Sequence, residues 1–203
     1  MVEEYVSKGA VISSCGLYRY HLWREWRLHP KPALWDMWTE DDGSPVLDGV
    51  GEQLGEPKFV LFVMLNPSTA DGSEDDATIS RCVAFAKAWG YDRMEVVNLF
   101  AYRATSPADM LKLSHDVDPV GYRNEHFFGT AAYDADKIVC AWGNHGSHLG
   151  QDQTALGWLD AYRSNAEICC LKLTGRGQPS HPLYLKSDLV PFALPSLTPG
   201  AAK

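Results

Sequence analysis

The sequence predicts an α/β fold: a three-layer α/β/α sandwich with a central, mostly parallel four-stranded sheet and an N-terminal β-hairpin. One observation is that residues 59–64, FVLFVM, are apolar at every position, as in a strand buried on both faces of a parallel sheet. The other is that four such short runs alternate with segments of helical length along the chain. This order is typical of parallel βαβ units, whose helices cover the sheet.

The length and composition indicate a globular protein of one domain. We assign residues 1–203 to that domain, with a core over about residues 15–192 and a loose Pro-, Gly- and Ala-rich C-terminal tail. The hydrophobic fraction is 45% and seven residues are tryptophan, which indicates a packed core. No segment approaches the roughly 18 apolar residues of a membrane span, and the N-terminus lacks the features of a signal peptide. We therefore expect a cytoplasmic protein without a membrane partner.

The net charge of −8 argues against a general nucleic-acid coat protein, but the charge is unevenly distributed. Eleven acidic residues and one basic residue lie between Asp36 and Asp76, whereas the rest of the chain has 15 acidic and 17 basic residues. A local anion-binding face near the C-terminus therefore stays open. The five cysteines show no metal-ligand spacing, so we expect no metal and no cofactor, and we interpret Cys82, Cys140 and Cys169 as buried thiols.

The N-terminal region predicts the hairpin, because residues 15–40 alternate aromatic or apolar with polar residues up to a break at residues 29–32. Residues 40–57 are acidic and rich in Gly and Pro, and we interpret them as a loop leading into the first central strand. After that strand, Asp75 or Asp76 caps a helix that stops at Gly90. The predicted buried face of this helix consists of Ile79, Cys82, Val83 and Ala86.

The remaining elements follow in the order that parallel βαβ units require. Residues 95–100, 137–142 and 167–173 contain apolar runs that predict three further strands. Ser106 and Pro107 open a helix, since they supply a capping residue and a proline in the first turn. Residues 120–133 and 152–163 predict two longer helices.

Polar side chains gather at the carboxyl ends of the predicted strands, where open α/β sheets bind ligands. An asparagine amide offers one acceptor and two donors, which suit a planar, amide-like ring, and a histidine can stabilise negative charge on a leaving group. No Ser/His/Asp spacing favours acyl transfer. The residues are Asn66, Pro67, Ser68, Thr69 and Asp71 after the first strand, Asn98, Phe100 and Arg103 at the second, Trp142, Gly143, Asn144 and His145 at the third, and Arg176, Gln178 and His181 after the fourth.

Each of these residues also has a purely structural interpretation, and the residues alone leave both open. Asn66 suits the end of a strand, and Asn98 suits a buried hydrogen-bonding position at such an end. His145 tolerates an unusual backbone conformation, and His181 before a proline fits a plain turn. Arg103 could pair with a nearby acid such as Asp109. It is the whole set that favours a binding site.

The runs MLNPSTAD, VVNLFAYRAT and AWGNHG resemble a bacterial and phage family known as a domain of unknown function, DUF1643, over roughly residues 18–191. More distantly, they resemble the uracil-DNA glycosylase superfamily. Asn66-Pro67 corresponds to its water-positioning motif, and Asn98, followed by Arg103, corresponds to the asparagine that reads the pyrimidine edge. Trp142-Gly143 corresponds to the end of a hydrophobic strand. His181-Pro182 corresponds to the loop whose histidine stabilises the departing base.

This resemblance implies a DNA N-glycosylase that hydrolyses the N-glycosidic bond of a flipped-out uracil-like or 5-modified pyrimidine. Its partner would be DNA with a modified or damaged base, and it would act as a monomer in base-excision repair or anti-phage defence. The implied catalytic residues are Asn66, Asp71 and His181. The implied substrate-binding residues are Pro67, Ser68, Thr69, Asn98, Phe100, Arg103, Trp142, Gly143, Asn144 and His145, and the implied DNA-binding residues are Arg176, Gln178, Pro182, Leu183, Tyr184 and Lys186.

Three positions depart from the superfamily pattern. Asn66 stands where an aspartate is familiar, and because an amide orients water but cannot act as its base, Asp71 is the candidate substitute. Ser68 stands where strict uracil enzymes have an aromatic residue that blocks 5-substituted bases, which favours a roomy pocket and a base such as a hypermodified phage pyrimidine. The last loop reads HPLY, so the residue that wedges into the duplex stays open between Leu183 and Leu185.

Two other classes of function also stay open. One is a hydrolase or binder of a free modified nucleotide or nucleoside, which the acidic net charge suits better. The other is a non-catalytic nucleic-acid-binding module that shares the fold. A fold alone does not distinguish these classes, because one fold hosts many functions.

Overall fold

The computed structural model describes residues 5–26, 58–68 and 73–196. The strands in these ranges are β1 (Ser7–Ile12), β2 (Arg19–Glu25), β3 (Phe59–Met64), β4 (Arg93–Asn98), β5 (Lys137–Cys140), β6 (Glu167–Cys170) and β7 (Phe192–Ala193). The α-helices are α1 (Ala77–Ala88), α2 (Pro107–Leu111), α3 (Asn124–Asp134) and α4 (Gln151–Tyr162), and 3₁₀ helices cover Asn144–Gly150 and Pro182–Tyr184. The predicted break at residues 29–32 and the predicted loop at residues 40–57 lie outside the described residues.

All the described strands belong to one sheet, in the order β1-β2-β4-β3-β5-β6-β7. The central strands β4, β3, β5 and β6 are parallel, which confirms the mostly parallel core. β1 and β2 form an N-terminal hairpin, and β2 pairs antiparallel with β4, so the hairpin extends the main sheet. The sheet therefore begins at Ser7, upstream of the core boundary expected near residue 15.

At the opposite edge of the sheet, a short strand follows the last crossover. β7 pairs antiparallel with β6, and the Leu194 backbone N–H donates to the Ile168 carbonyl at 2.9 Å. This pairing reaches past residue 192, where the loose tail was expected to begin. Residues 197–203 of that tail lie outside the described residues.

Helices cover both faces of the sheet, which confirms the three-layer sandwich. α1 packs on one face, against apolar side chains of β3 and β4 such as Phe62 and Val96. α3 and α4 pack on the other face, where Phe128 and Leu159 are buried against Val63 and its neighbours. Within the described residues, no helix combines the length and the apolar character that crossing a membrane would need.

The ends of the helices follow from capping groups in the sequence. Asp76 caps α1, because its Oδ1 accepts a hydrogen bond from the Ile79 backbone N–H at 2.8 Å. Gly90, with φ of 81°, follows the end of that helix. Ser106 caps α2 and Pro107 occupies its first position. The buried face of α1 contains all four residues predicted from helical spacing: Ile79, Cys82, Val83 and Ala86.

A β-bulge in β2 changes the faces on which its side chains lie. Consecutive residues of β1 pair with His21 and Arg19, so Tyr20 is an extra residue in the ladder. Because side chains alternate along a strand, this extra residue brings Arg19 to the face of Leu22, which is covered by α1. Tyr20 packs toward the other layer, where its ring stacks on Phe127 of α3 at a centroid distance of 5.5 Å.

The connections between strands define where the sheet opens a crevice. β3 leads to β4 through α1 on one face, whereas β5 leads to β6 through α4 on the other face. Two neighbouring strands whose connections leave toward opposite faces form a topological switch point, and ligands bind outside the carboxyl ends of the strands there. The segments that follow β3 and β5, from Asn66 and from Ala141 onward, border this crevice.

Candidate functional site

A pocket of about 410 Å³ opens at the carboxyl edge of the sheet, between α1 and the loops that follow the four parallel strands. This volume lies in the usual range of small-molecule sites, about 300–1,000 Å³. The structure therefore brings together side chains that are distant in sequence. The site residues predicted from the sequence that line the pocket are Asn66, Ser68, Asn98, Trp142, Gly143, Asn144, His145, His181, Leu183 and Tyr184.

The Asn66 side chain is held by the loop that follows β4. Its Nδ2 donates to the backbone carbonyls of Pro67 and Ala104, both at 3.1 Å. The Ala104 backbone N–H in turn donates to the Pro67 carbonyl at 3.0 Å. Because both protons of the amide are engaged, Asn66 meets the pocket as an acceptor through Oδ1, which suits the orientation of a water molecule.

Asn98 is the last residue of β4, and its side chain lines the pocket although the residue is only 2% exposed. Asn124 at the start of α3 fixes the backbone here, since its Nδ2 donates to the carbonyls of Asn98 and Leu99 at 2.9 and 3.2 Å. Among the described residues, none hydrogen-bonds to the side-chain amide of Asn98. Its atoms are not among the fully buried polar atoms without a partner, so the amide is accessible from the pocket and available to a hydrogen-bonding ligand.

A buried hydrogen-bond network holds the Trp142 indole, which forms the pocket wall beyond β5. The Trp142 Nε1 donates to Gln178 Oε1 at 2.7 Å, and Gln178 Nε2 donates to Asp152 Oδ2 at 2.9 Å. Gln178 belongs to the hairpin after β6, residues 173–179, which a bridge between Leu173 and Pro179 closes. It is buried inside the protein, where it links this hairpin to α4, so its amide is engaged there and not at the surface where the resemblance places a DNA contact. Gly146 packs on the indole, where a Cβ would lie 2.0 Å from Trp142 Cδ1.

His181 faces the pocket just before the 3₁₀ helix Pro182–Tyr184. Its Nδ1 accepts a hydrogen bond from the Leu183 backbone N–H at 3.4 Å, which leaves the proton of the neutral ring on Nε2. Burial lowers the pKa of His181, and the nearby Asp76 carboxylate opposes part of this shift. The imidazole is therefore neutral near pH 7 and has one N–H to donate.

Two charged pocket residues were missed as site residues in the sequence. Arg19 reaches the pocket from β2, and burial lowers its pKa to about 10 although Asp76 acts in the opposite direction. Asp76 was predicted only as one of two helix caps, yet it also lines the pocket and accepts a hydrogen bond from the Ser68 hydroxyl at 2.5 Å. An acid so close to the Asn-Pro motif was a usable signal. The alternation of side chains along a regular β2 would place Arg19 on the face opposite the pocket. The bulge at Tyr20 reverses this placement, so the sequence pattern did not indicate Arg19 as a site residue.

Three other predicted substrate-binding residues lie behind the pocket wall or beside it. Pro67 and Phe100 are buried, and Phe100 belongs to the apolar core on the α3 side of the sheet. Arg103 donates from Nη1 to the Gly16 carbonyl at 3.1 Å, which ties the loop after β4 to the β1–β2 turn. These residues support the geometry of the pocket and do not line it.

The predicted DNA-binding residues separate into exposed and buried groups. Arg176, at the tip of the hairpin after β6, and Lys186, after the last 3₁₀ helix, are exposed, whereas Pro182 is buried. Tyr184 is 88% exposed at the pocket rim. The predicted residues Thr69 and Asp71 lie outside the described residues.

The two wedge candidates differ in their surroundings. Leu183 lines the pocket, whereas Leu185 packs against the α1 side of the core. The Leu185 carbonyl also accepts a hydrogen bond from the Arg81 guanidinium of α1, which anchors this loop to the helix. Of the two leucines, Leu183 is therefore the one that lies at the pocket.

The fold and the site define an α/β sandwich protein with a pocket at its topological switch point. The chain belongs to the family described as "Protein of unknown function (DUF1643)", which it matches over residues 51–183, more than half of its length. This confirms the family indicated by the sequence motifs. No curated protein and no solved structure matches the chain. Within the described residues, no group of three or more His, Cys, Asp or Glu side chains is arranged to hold a metal ion.

Proposed function

We propose that this protein is a DNA N-glycosylase that releases a flipped-out uracil-like or 5-modified pyrimidine. The observation that carries the proposal is the buried Asn98 amide, which has no hydrogen-bond partner among the described residues and lines the same pocket as the neutral His181. The Asn98 amide can hydrogen-bond to the edge of a base, and His181 can stabilise the negative charge on that base when it leaves. The distant resemblance to the uracil-DNA glycosylase superfamily supports the same pairing of roles.

Recognition of the base is assigned to Asn98. Its amide presents one acceptor and two donors, which complement the alternating acceptors and donors on a pyrimidine edge. Because no described residue hydrogen-bonds to this amide, an edge that binds there displaces no hydrogen bond within the described residues. A base that has left the helical stack can be read in this way, whereas a paired base cannot.

The chemical step needs a stabilised leaving group and a positioned nucleophile. As water attacks C1′ and the C1′–N bond breaks, the electron pair of that bond leaves with the base. The Nε2–H of His181 stabilises the resulting anion by donating a hydrogen bond, and a neutral imidazole can do so near pH 7.

The attacking water is assigned to Asn66, whose engaged Nδ2 leaves Oδ1 to accept a hydrogen bond from it. An amide cannot take the proton that water releases, whereas a carboxylate can do so as a general base. Asp76 lines the pocket and supplies one within the described residues. Asp71 remains the carboxylate predicted from the sequence.

The pocket also bears on the size of the base. Ser68 lines it with a small side chain that is hydrogen-bonded to Asp76, at the position where an aromatic residue would exclude 5-substituted pyrimidines. A volume of about 410 Å³ suits a base that carries a substituent. We therefore favour a 5-modified pyrimidine over plain uracil.

The test is formation of abasic sites on single- and double-stranded oligonucleotides that contain uracil, 5-hydroxymethyluracil or glucosylated 5-hydroxymethylcytosine. We expect the wild type to release one of these bases. Asn98→Asp replaces the NH₂ donor of the amide with an acceptor oxygen at nearly constant shape. It should lower kcat/KM about 100-fold or more, because an acceptor on the base edge then faces another acceptor. Asn165→Asp, at an exposed position, is the matched control. No release from any oligonucleotide by a folded protein would refute the proposal.

A second candidate is a hydrolase or binder of a free modified nucleotide. It is favoured by the Arg19 guanidinium inside the pocket and by the net charge of −8, which suit a small anion better than a polyanion. The same assay with the corresponding nucleoside monophosphates distinguishes the two. Base release from the mononucleotide alone would favour this candidate, whereas binding without release would favour a non-catalytic binder.

A further inference from the structure

A second concave surface lies on the outer side of α3 and shares no lining residue with the pocket described above. It encloses about 730 Å³. We name it the tyrosine groove and define it by Tyr122, Glu125, Tyr133, Asp134 and Tyr162. Four of these residues belong to α3 or the turn before it, and Tyr162 ends α4.

The aromatic rings of the tyrosine groove are exposed, and two of them, Tyr122 and Tyr162, are held by contacts within the protein. Tyr122, Tyr133 and Tyr162 are 88%, 65% and 40% exposed. The Tyr162 hydroxyl donates to Glu125 Oε1 at 2.8 Å, and its ring lies on Gly129, where a Cβ would be 2.9 Å away. Tyr122 packs edge-on against Tyr20 at a centroid distance of 6.4 Å. A cluster of exposed aromatic rings of this kind marks an interaction surface.

The charge of the groove is acidic. Glu125 and Asp134 line it, and among the described lining residues none is Lys or Arg. The neighbouring Arg123 is engaged elsewhere, since its guanidinium lies over the Phe127 ring at 5.0 Å. The groove thus combines π faces with carboxylates, a combination that attracts a cation and repels the phosphates of nucleic acid.

We propose that the tyrosine groove binds an arginine side chain presented by an extended segment of a partner protein. A guanidinium stacks flat on a tyrosine ring and at the same time donates paired hydrogen bonds to a carboxylate. The Tyr162 ring and the Glu125 carboxylate lie side by side, since the Tyr162 hydroxyl donates to Glu125 Oε1, and they offer one of each. Tyr133 and Asp134, at the last turn of α3, line the same groove and add a second ring and a second carboxylate.

The test is an NMR titration of the ¹⁵N-labelled full-length protein with the peptide Gly-Gly-Arg-Gly-Gly. We expect saturable shifts confined to the amides of residues 122–134 and 162. Affinity should fall at least tenfold in Tyr133→Ser and in Asp134→Asn, both at exposed positions where the fold should persist. Asp116→Asn removes an exposed carboxylate elsewhere and should leave the affinity unchanged.

Four results would overturn the proposal. Equal shifts with Gly-Gly-Gln-Gly-Gly would show that the peptide backbone binds and not the guanidinium, and equal affinity for Gly-Gly-Lys-Gly-Gly would remove the assignment to arginine. The absence of localised shifts would exclude a cation site. Concentration-dependent dimers in sedimentation experiments that disappear in Tyr133→Ser would assign the groove to a second copy of this chain.

Discussion

Two buried polar side chains, Asn98 and Arg19, define the character of the pocket. The Asn98 amide provides neutral donors and an acceptor, whereas Arg19 keeps a positive charge because its pKa stays near 10 despite burial. Asp76 and Arg103 act on that charge in opposite directions. A pocket that contains both the Arg19 cation and the neutral Asn98 amide suits a ligand that carries or develops negative charge.

His181 provides a prediction at the level of a single residue. Burial lowers its pKa in the folded state below the ordinary value of about 6.5. Below about pH 6.5 the unfolded chain therefore binds a proton that the folded protein resists, so stability is lost as the pH falls. We expect His181→Gln to remove this component, with a change in the pH dependence of at most about 1.4 kcal/mol per pH unit.

Urea unfolding between pH 5.5 and 7.5 measures this effect. The stability difference between wild type and His181→Gln should shift in favour of the variant as the pH falls below about 6.5. A difference that stays constant over this range would mean that the imidazole is as accessible to protons in the folded protein as in the unfolded one.

Among the elements, the hairpin after β6 has a buried part and an exposed tip. Its inner residue Gln178 joins Trp142 beyond β5 to Asp152 of α4. Its tip, at Arg176, is exposed. The hairpin therefore fixes the indole wall of the pocket from behind and leaves a basic side chain on the surface.

This division predicts opposite results for two nearby substitutions. Gln178→Leu removes the partner of two buried polar groups and should lower the free energy of unfolding by about 1–3 kcal/mol. Arg176→Ala should change it by no more than about 0.5 kcal/mol, as is usual for exposed positions. Chemical denaturation measures both. A neutral Gln178→Leu would show that the network carries no stability.

At the scale of the whole molecule, the acidic net charge limits how the protein could hold the proposed DNA substrate. Only a local basic surface can contact phosphates, and Arg176 and Lys186 are the exposed cations on the loops after β6 that the resemblance implied. Each phosphate contact releases counterions and steepens the salt dependence of binding by about one unit in the log–log slope.

We therefore expect Arg176→Ala and Lys186→Ala each to reduce that slope by about one. Fluorescence anisotropy with a labelled oligonucleotide at several salt concentrations measures the slope. Lys137→Ala is the control, because Lys137 begins β5 and so lies at the amino ends of the parallel strands, away from the pocket. Its Nζ lies 2.8 Å from Glu167 Oε2. An unchanged slope in both loop variants would mean that neither side chain contacts phosphate.

The sequence predicted the parts of the fold that depend on local signals. The four parallel strands follow from apolar runs such as FVLFVM, and α1 follows from its cap and its periodic buried face. β1 was missed because SKGAVI has a Lys and a Gly and is only half-buried, and β7 was missed because two residues carry no periodicity. Both strands form because they hydrogen-bond to a neighbouring strand, β1 to β2 and β7 to β6.

The candidate site divides in the same way. Residues after the strand ends, such as Asn66, Asn98 and His181, line the pocket because the topology of parallel strands determines where those ends meet. The inward position of Gln178 could not be predicted, because only the packed structure turns its side chain onto Trp142. Arg19 depends on a bulge, which no local pattern reveals. Roles in catalysis remain predictions at all these positions.

The extra residue in β2 makes the charge of the pocket depend on strand register as well as on residue identity. If Tyr20 paired with Ile12 in a regular ladder, Arg19 would move to the opposite face and its positive charge would leave the pocket, without any substitution. Deletion of Tyr20 would have no such effect, because Arg19 already pairs with Ile12 and would stay on the face of Leu22. The cation of the pocket would therefore survive a β2 that is one residue shorter, but not a β2 of the same length without the bulge.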